Sequence, residues 1–314
     1  MMNRLVVLFV LLAGVAPAMA VERGTWFYYI ASEPNGAANI VGNPQKEDDA
    51  IAFMNQWEIK RLYGSYSTLT TSNPQAMAKW NKKLAQAGIK SYVEISGATQ
   101  AFPSNRSALL STVDTRLVNF NAARSDPQEK FVGIEMDIEP WTTTEWRNST
   151  TVQRQSMLFD LRNAFSDVRT RASNAGLADA KLSAALPIFF DTTATIAWGP
   201  GEVDQWFTDI GKSLNEISVM PYDTADVSTI MRRSSYELEK FPGTTFIALR
   251  TRLDLEWSSM QQFTDAMNQI EAQTGRGIDI ENYYRLRASV PEPGGVVVCG
   301  LLGMTGMLRR RKRN

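Results

Sequence analysis

The residues best suited to chemistry form a run of alternating acids. In the segment FVGIEMDIEPW, residues 131–141, Glu135, Asp137 and Glu139 alternate with apolar residues. Because alternate residues of a β-strand share a face, this pattern predicts a strand with three carboxylates on one side. Carboxylates buried so close together repel one another, and at least one is expected to have a raised pKa. A carboxyl group that keeps its proton near neutral pH is what general-acid catalysis requires.

The same carboxylates also have a purely structural interpretation, in which Arg or Lys side chains of neighbouring strands neutralise them. No basic residue lies within the run itself. An unpaired buried charge costs several kcal/mol, so a run without a counter-ion favours a functional role. We therefore take Glu139, the last acid of the run, as the candidate general acid and keep ion pairing as the alternative.

Composition narrows the possible reactions. The chain has no histidine, which excludes Ser-His-Asp and Cys-His hydrolases and zinc sites built on histidine. Its one cysteine, Cys299, lies near the C-terminus, so the central part is expected to have neither a thiol nor a disulfide. Hydrolysis of glycosidic bonds is a common reaction that needs only carboxylates. The sequence predicts no cofactor and no metal.

The N-terminal segment is typical of a secretory signal. Residues 1–20 contain one basic residue and an apolar run, followed by Ala18, Met19 and Ala20, which match a cleavage site for signal peptidase. An uncleaved membrane anchor is the alternative. With both ends set aside, the central part loses six of 33 basic residues and one of 33 acidic residues, and its net charge is −5. Such a charge does not favour binding to nucleic acid.

Strand-like and helix-like segments alternate along residues 21–289. Strands are predicted at 25–30, 61–67, 89–96, 131–139, 181–190, 216–223, 244–251 and 277–286, and helices at 46–58, 74–87, 105–122, 150–175, 201–213, 227–240 and 258–274. Eight such units in roughly 270 residues predict a single-domain (β/α)8 TIM barrel. An open doubly wound sheet is the alternative, although no Gly-rich phosphate loop follows the first strand. In a barrel, Glu139 would lie at the C-terminal end of its strand, where active sites form.

The C-terminal segment resembles the PEP-CTERM sorting signal. A V-P-E-P box at 290–293 precedes an uncharged stretch at 294–308 and five basic residues at 309–313. The resemblance implies export in a Gram-negative bacterium, with transient anchoring in the inner membrane through 294–308. It implies signal peptidase and an exosortase as processing partners. The expected destination is the periplasm, the cell surface or the extracellular matrix, in association with exopolysaccharide or biofilm.

The acidic run resembles the catalytic strand of glycoside hydrolase family 18, the chitinase-like barrels. The family motif D-x-x-D-x-D-x-E is matched at Asp137 and Glu139, whereas Val132 and Glu135 stand where the family has aspartates. Two further family elements follow the same order along the chain. The segment MPYD at 220–223 matches the M-x-Y-D of strand six, and Ser96-Gly97 partly matches the S-x-G-G of strand three.

The resemblance implies substrate-assisted hydrolysis beside an N-acetylhexosamine. Glu139 would protonate the leaving oxygen, and Asp137 would orient the 2-acetamido group that attacks the anomeric carbon. Tyr222 and Asp223 would hold that acetamido group, and Glu135 would lie deeper and tune Asp137. No second carboxylate across the cleft is needed in this mechanism. The departures from the motif leave open a barrel that binds a glycan without cleaving it.

Several other residues are predicted to contact the polysaccharide. They lie at the same end of the expected barrel, and they are Met220, Trp141, Trp198, Trp257 and Tyr283. Tyr283 falls where the chitinase-like family has a tryptophan on strand eight. Packing in the core is the alternative for each of the aromatic residues. Arg250, near the end of the seventh strand, is expected to pair with the acidic cluster or with an anionic polymer.

Overall fold

Eight parallel strands close into a barrel in the computed structural model, which describes residues 21–290. The strands are β1 (Arg23–Tyr28), β2 (Ile59–Ser65), β3 (Lys90–Ser96), β4 (Gly133–Asp137), β5 (Lys181–Pro187), β6 (Glu216–Met220), β7 (Thr245–Arg250) and β8 (Asp279–Glu281). Each pairs in parallel with its neighbour in sequence, and β1 pairs with β8 to close the ring. The predicted (β/α)8 barrel is therefore confirmed, and the open sheet is wrong.

Helices surround the ring and connect successive strands. They are α1 (Ala37–Ile40), α2 (Pro44–Gln56), α3 (Leu69–Ser72), α4 (Pro74–Gln86), α5 (Arg106–Val113), α6 (Asn119–Ala122), α7 (Thr144–Asn148), α8 (Thr151–Asn174), α9 (Glu202–Gly211), α10 (Val227–Arg233), α11 (Ser235–Lys240), α12 (Met260–Thr274) and α13 (Tyr283–Ser289). The longest, α8, begins with a capping box in which Thr150 and Gln153 satisfy each other's free backbone N–H groups.

The eighth strand is much shorter than predicted. β8 ends at Glu281, and α13 starts two residues later, where the sequence predicted a strand as far as residue 286. The side chain of Asn282 accepts a hydrogen bond from the backbone N–H of Arg285 and caps the helix. Tyr283 and Leu286 bury one face of α13 at the i, i+3 spacing of a helix. The strand prediction beyond Glu281 is therefore wrong, because a local cap outweighs the strand-like composition.

Two layers of side chains fill the space on either side of the strands. Ile134 and Met136 of β4 point outward into the large apolar layer under the helices, and both are fully buried. Glu135 and Asp137 of the same strand point inward. The inward layer also contains a small apolar cluster of Trp26, Tyr63, Tyr92, Ala185, Met220 and Ala248. The barrel interior thus holds a small apolar cluster together with buried acids.

An ion-paired network occupies the lower end of the barrel interior. Arg61 is 1 % exposed and donates from Nη2 to Oδ1 of Asp279 over 2.8 Å. Ser218 and Tyr63 also donate to the Asp279 carboxylate. The buried acid at this end therefore has a counter-ion and hydrogen-bond donors, as a structural role requires.

Gly133, at the start of β4, is placed where no side chain fits. An ideal Cβ at this residue would lie 1.9 Å from the backbone oxygen of Lys181 on the next strand. We expect Gly133→Ala to lower the free energy of unfolding by about 2–3 kcal/mol, because backbone of a paired strand must move to accept the methyl group. Urea denaturation measures the loss. Gly199→Ala is the control, since its Cβ would meet only the flexible end of Glu202, and a similar loss in both variants would contradict the argument.

The two targeting predictions lie largely outside the described residues. Residues 1–20 and 291–314, which include the predicted signal and almost all of the predicted sorting tail, are not described. Between Val21 and Val290, no helix is both long enough and apolar enough to cross a bilayer.

Candidate active site

A pocket of ≈ 250 Å³ opens at the C-terminal end of the barrel. The final residues of five strands line it, and they are Tyr28, Asp137, Met220, Arg250 and Glu281 of β1, β4, β6, β7 and β8. Trp26, Glu139 and Tyr222 complete the lining. The structure thus brings together four of the predicted site residues, Asp137, Glu139, Met220 and Tyr222, at the end of the barrel where active sites form.

The chain holds Glu139 at the pocket by a turn immediately after β4. Asp137 is the last residue of the strand, and Pro140 begins a short 3-10 turn that ends at Thr142. The Thr142 hydroxyl donates to the backbone oxygen of Glu139 over 2.8 Å, which anchors the residue on the turn. The strand therefore aims Asp137 inward, and the turn keeps Glu139 above it.

Burial gives these neighbouring carboxyl groups different proton affinities. It raises the pKa of Asp137 to about 6, and the negative charge of Glu281 adds to the effect. Burial raises the pKa of Glu139 to about 8, with further increases from the charges of Asp137 and Glu281. At pH 7 the first group is therefore ionised and the second is protonated. This division is the arrangement in which one carboxyl serves as an acid beside a carboxylate.

The carboxyl groups of Asp137 and Glu139 have no basic partner within residues 21–290, where neither takes part in an ion pair. Arg250 is the cation at the pocket, and it pairs with Glu256 and stacks on the ring of Tyr222 at 4.5 Å. The expected pairing of Arg250 with the acidic run is therefore replaced by a pairing with Glu256. Arg61 neutralises Asp279 at the lower end of the barrel interior, whereas no residue within 21–290 forms an ion pair with Asp137 or Glu139.

Glu135 and Glu94 form a deeper acidic layer beneath the pocket. Glu135 is fully buried beside Ser183 of the paired strand, and burial raises its pKa well above the ordinary value. Glu94 of β3 lies opposite it in register and is 2 % exposed. Burial raises the pKa of Glu94 strongly, and the charge of Asp137 adds to the shift. Burial therefore favours the neutral form of both carboxyl groups beneath Asp137.

Two acids of the site were missed in the sequence. Glu94 lies between the inward residues Tyr92 and Ser96, and Glu281 follows Asp279 by two positions on β8. The signal that identified β4 was the alternation of acids with apolar residues. Both of these segments show it, but β3 has one acid and β8 has two. Burial raises the pKa of Glu281, and Asn282 donates to its Oε1 over 3.1 Å, which opposes the shift.

The predicted site residue Asp223 lies outside the pocket. Its side chain is 79 % exposed and approaches Arg250 at 3.9 Å. Tyr222 lines the pocket, and the backbone of Asp223 adopts a left-handed conformation with φ of 84°. The chain turns at Tyr222 and Asp223, directly after β6 ends, and this turn directs the Asp223 side chain to solvent while Tyr222 lines the pocket.

Three of the predicted sugar-contacting aromatics pack in the core. Trp198 donates from Nε1 to the backbone oxygen of Phe190, and Trp257 donates to that of Arg250, each over 2.7 Å. Tyr283 is 1 % exposed, and its ring makes edge contacts with Phe27 and Phe53. The structure places these three residues outside the lining of the pocket, unlike the prediction. The indole N–H groups of the two tryptophans are already hydrogen-bonded, and the tyrosine ring is already packed.

Trp141 is the predicted aromatic residue that stays near the pocket. It is half-buried and makes edge contacts with Phe189 and Phe190 at 6.2 and 5.2 Å. It also packs against the inner apolar cluster that contains the pocket residues Trp26 and Met220. The exposed part of its ring lies beside the pocket rather than in its wall.

The raised pKa of Glu139 predicts a pH-dependent stability. Its folded value of about 8 exceeds the ordinary 4.5, so the folded state binds more protons between these values and stability falls as pH rises through them. Glu139→Gln removes the titration. We expect the variant to exceed the wild type in unfolding free energy by on the order of 1–3 kcal/mol at pH 9 and by far less at pH 5. Urea midpoints at both pH values measure this, and an equal pH dependence in both proteins would contradict it.

Comparisons with known proteins find similar folds among solved structures but identify no family for the chain. No family model matches the chain, and no curated protein matches it. Among solved structures, the spore cortex-lytic enzyme SleL of Bacillus cereus has a TM-score of 0.50 at 10% identity, over 86% of this chain and 74% of that one. A chitinase from Chromobacterium violaceum has a TM-score of 0.45 at 13% identity, over 74% and 69%. A putative sugar phosphate isomerase/epimerase from Anabaena variabilis has a TM-score of 0.46 at 11% identity, over 87% and 89%. The (β/α)8 barrel fold itself rests on the closed ring of eight parallel strands in the described residues.

Proposed function

We propose that the chain is an exported glycoside hydrolase in which Glu139 is the general acid. The observation that supports this most directly is the pair of carboxyl groups in the pocket, Asp137 and Glu139. They line one opening, take opposite protonation states at neutral pH and have no counter-ion in the described part of the chain. Hydrolysis of a glycosidic bond needs such a proton donor beside a stabilising negative charge.

Each group has a distinct task in this reaction. Glu139 gives its proton to the oxygen of the leaving sugar, and the negative charge of Asp137 stabilises the positive charge that develops at the anomeric carbon. Burial raises the pKa of the Tyr28 and Tyr222 phenols, so both stay protonated and donate hydrogen bonds to sugar oxygens. Trp26 and Met220 supply apolar surface for the ring. The acid step is the same whether an acetamido group or an activated water attacks.

We propose a polysaccharide that contains N-acetylhexosamine as the substrate, on the basis of the resemblance of the β4 segment to the chitinase-like barrels. We further propose that the reaction takes place outside the cytoplasm, in the periplasm, at the cell surface or in the matrix, and the predicted signal segment and sorting tail support this location. The test is to incubate the purified barrel, residues 21–290, with chitopentaose and measure new reducing ends. Turnover supports the proposal, and saturable binding with no release of reducing ends contradicts it.

The two pKa values predict the pH dependence of turnover. We expect kcat/KM to fall as pH rises through about 8, where Glu139 loses its proton, and to fall as pH drops through about 6, where Asp137 gains one. The rates should therefore be highest between these values. Initial rates from pH 4 to pH 10 measure the profile. A rate that keeps rising above pH 9 would show that no protonated carboxyl group is required.

A second candidate function is a glycan-binding barrel without catalysis. Val132 favours it, since this residue stands where the chitinase-like motif has an aspartate. Asp223 also points away from the pocket, so one element of the chitinase-like pattern is not in place. The absence of an ion partner for Asp137 and Glu139 in the described residues favours the hydrolase.

A further inference from the structure

Glu281 and Glu139 line one pocket and come from opposite sides of the ring of strands. In a closed ring of eight strands, β4 and β8 lie diametrically opposite, with three strands between them on either side. Glu281 ends β8, and Glu139 lies two residues beyond the end of β4. Both side chains line the same pocket. The site therefore has a carboxyl group on each of two opposing walls.

We propose that Glu281 is the general base of the reaction and activates a water molecule for direct attack on the anomeric carbon. This inference rests on the proposed hydrolase function and changes the identity of the nucleophile that attacks the anomeric carbon. Substrate-assisted hydrolysis was expected because the acidic run resembles that of the chitinase-like barrels, and that mechanism needs no second carboxylate across the cleft. The structure supplies one, so the acetamido group of the substrate is no longer needed as the nucleophile.

The surroundings of Glu281 suit a base. Asn282 donates to its Oε1, which leaves Oε2 to accept a proton from water. Burial raises its pKa, and the hydrogen bond from Asn282 and the positive charges of Arg285, Arg250 and Arg252 offset part of that rise by favouring the ionised form. The chain thus surrounds the carboxyl group on β8 with donors and cations, whereas Glu139 on the opposite wall has burial and two negative charges that keep its proton in place.

The chemical step balances with these two groups. The water oxygen bonds to the anomeric carbon from the side of Glu281 and passes one proton to its Oε2. The bond to the leaving oxygen breaks on the side of Glu139, which protonates that oxygen. Glu281 then returns its proton to solvent, and Glu139 regains one. Attack from the opposite face inverts the anomeric configuration, and an inverting enzyme needs its acid and its base on opposite sides of the sugar ring, which the positions of β4 and β8 in the ring allow.

The stereochemistry of the first product separates this mechanism from substrate assistance. The purified protein is mixed with chitopentaose, and proton NMR records the anomers before mutarotation. We expect the α-anomer to appear first, because a β-linkage inverts when water attacks directly. An initial β-anomer would overturn the inference and leave the hydrolase function intact. Absence of any hydrolysis would overturn both.

Substitution of Glu281 provides the second test. We expect Glu281→Gln to lower kcat by about 10²–10⁴-fold with little change in KM. In Glu281→Ala, added azide should restore turnover and yield the α-glycosyl azide, which a purely structural role would not produce. The control is Glu145→Gln, an exposed acid on α7. Activity of Glu281→Gln within twofold of the wild type, alongside an inactive Glu139→Gln, would overturn the inference alone.

If the variants do not fold, the product of the wild-type protein still tests the inference. Circular dichroism identifies a variant that fails to fold. Such a failure is a risk because Glu281 is partly buried on β8, the strand that closes the ring between β7 and β1. The NMR experiment uses only the unaltered protein and therefore does not depend on the variants. Inversion of the anomeric configuration supports Glu281 as the general base, and retention of that configuration contradicts it.

Discussion

Replacing Glu139 with glutamine is expected to lower kcat/KM for chitopentaose by about 10²–10⁴-fold, the usual contribution of a general acid. Glutamine keeps the size of the side chain and donates hydrogen bonds, but it has no proton to transfer at pH 7. The leaving sugar oxygen must then depart as an alkoxide. Release of reducing ends by the wild type and the variant under the same conditions measures the loss.

The leaving group distinguishes a lost acid from a damaged site. With a 2,4-dinitrophenyl β-glycoside of N-acetylglucosamine, departure needs no protonation, and the loss for Glu139→Gln should shrink to about tenfold or less. Glu145→Gln is the control, since it makes the same substitution at an exposed acid on α7. An equal loss on both substrates would show that Glu139 acts by a route other than protonation.

Removing the guanidinium of Arg61 is expected to lower the free energy of unfolding by about 3–5 kcal/mol, because a buried carboxylate is left without its counter-ion. Asp279 is fully buried, and its nearest cation is Arg61 at 2.8 Å. Methionine is the best replacement, since it keeps a long unbranched side chain and its thioether can pack on the ring of Phe246, over which the guanidinium lies. Urea denaturation of Arg61→Met at pH 7 measures the change.

The exposed ion pair between Lys90 and Glu22 provides the matched control. Both of its side chains are 47 % exposed, and Lys90→Met should cost less than about 1 kcal/mol. Adding Asp279→Asn to Arg61→Met should recover part of the stability, because the unpaired charge is then removed. A loss in Arg61→Met no larger than that in Lys90→Met would contradict a structural role for the buried pair.

The architecture was determined by the sequence because its signal is local and repeated. Each strand is an apolar run of the right length, and each intervening helix has a start or stop residue, such as Asn73 with Pro74 at α4, where the Asn73 side chain accepts from the backbone N–H of Ala76. Eight repetitions left few arrangements other than a closed barrel. The inward direction of Glu135 and Asp137 followed from the two-residue period of a strand, which does not depend on the rest of the fold.

Residues at the ends of strands were placed less well, because their direction depends on where the strand stops. Tyr222 enters the pocket and Asp223 leaves it, although the two are adjacent in the segment that suggested both. The apparent strand at 277–286 becomes a helix after Glu281, which moves Tyr283 from the expected pocket into the core. A single cap or turn decides each of these positions, and hydrophobic periodicity does not record it.

The sequence by itself determined the barrel, the acidic face of β4 and the absence of histidine chemistry, since these follow from composition and the period of a strand. Only the tertiary structure decided which acids meet. Glu139 and Glu281 are 142 positions apart in the chain and line one pocket because ring closure sets β4 opposite β8. The different proton affinities of Asp137 and Glu139 likewise arise from burial and from charges on distant strands, which are three-dimensional quantities that no local pattern contains.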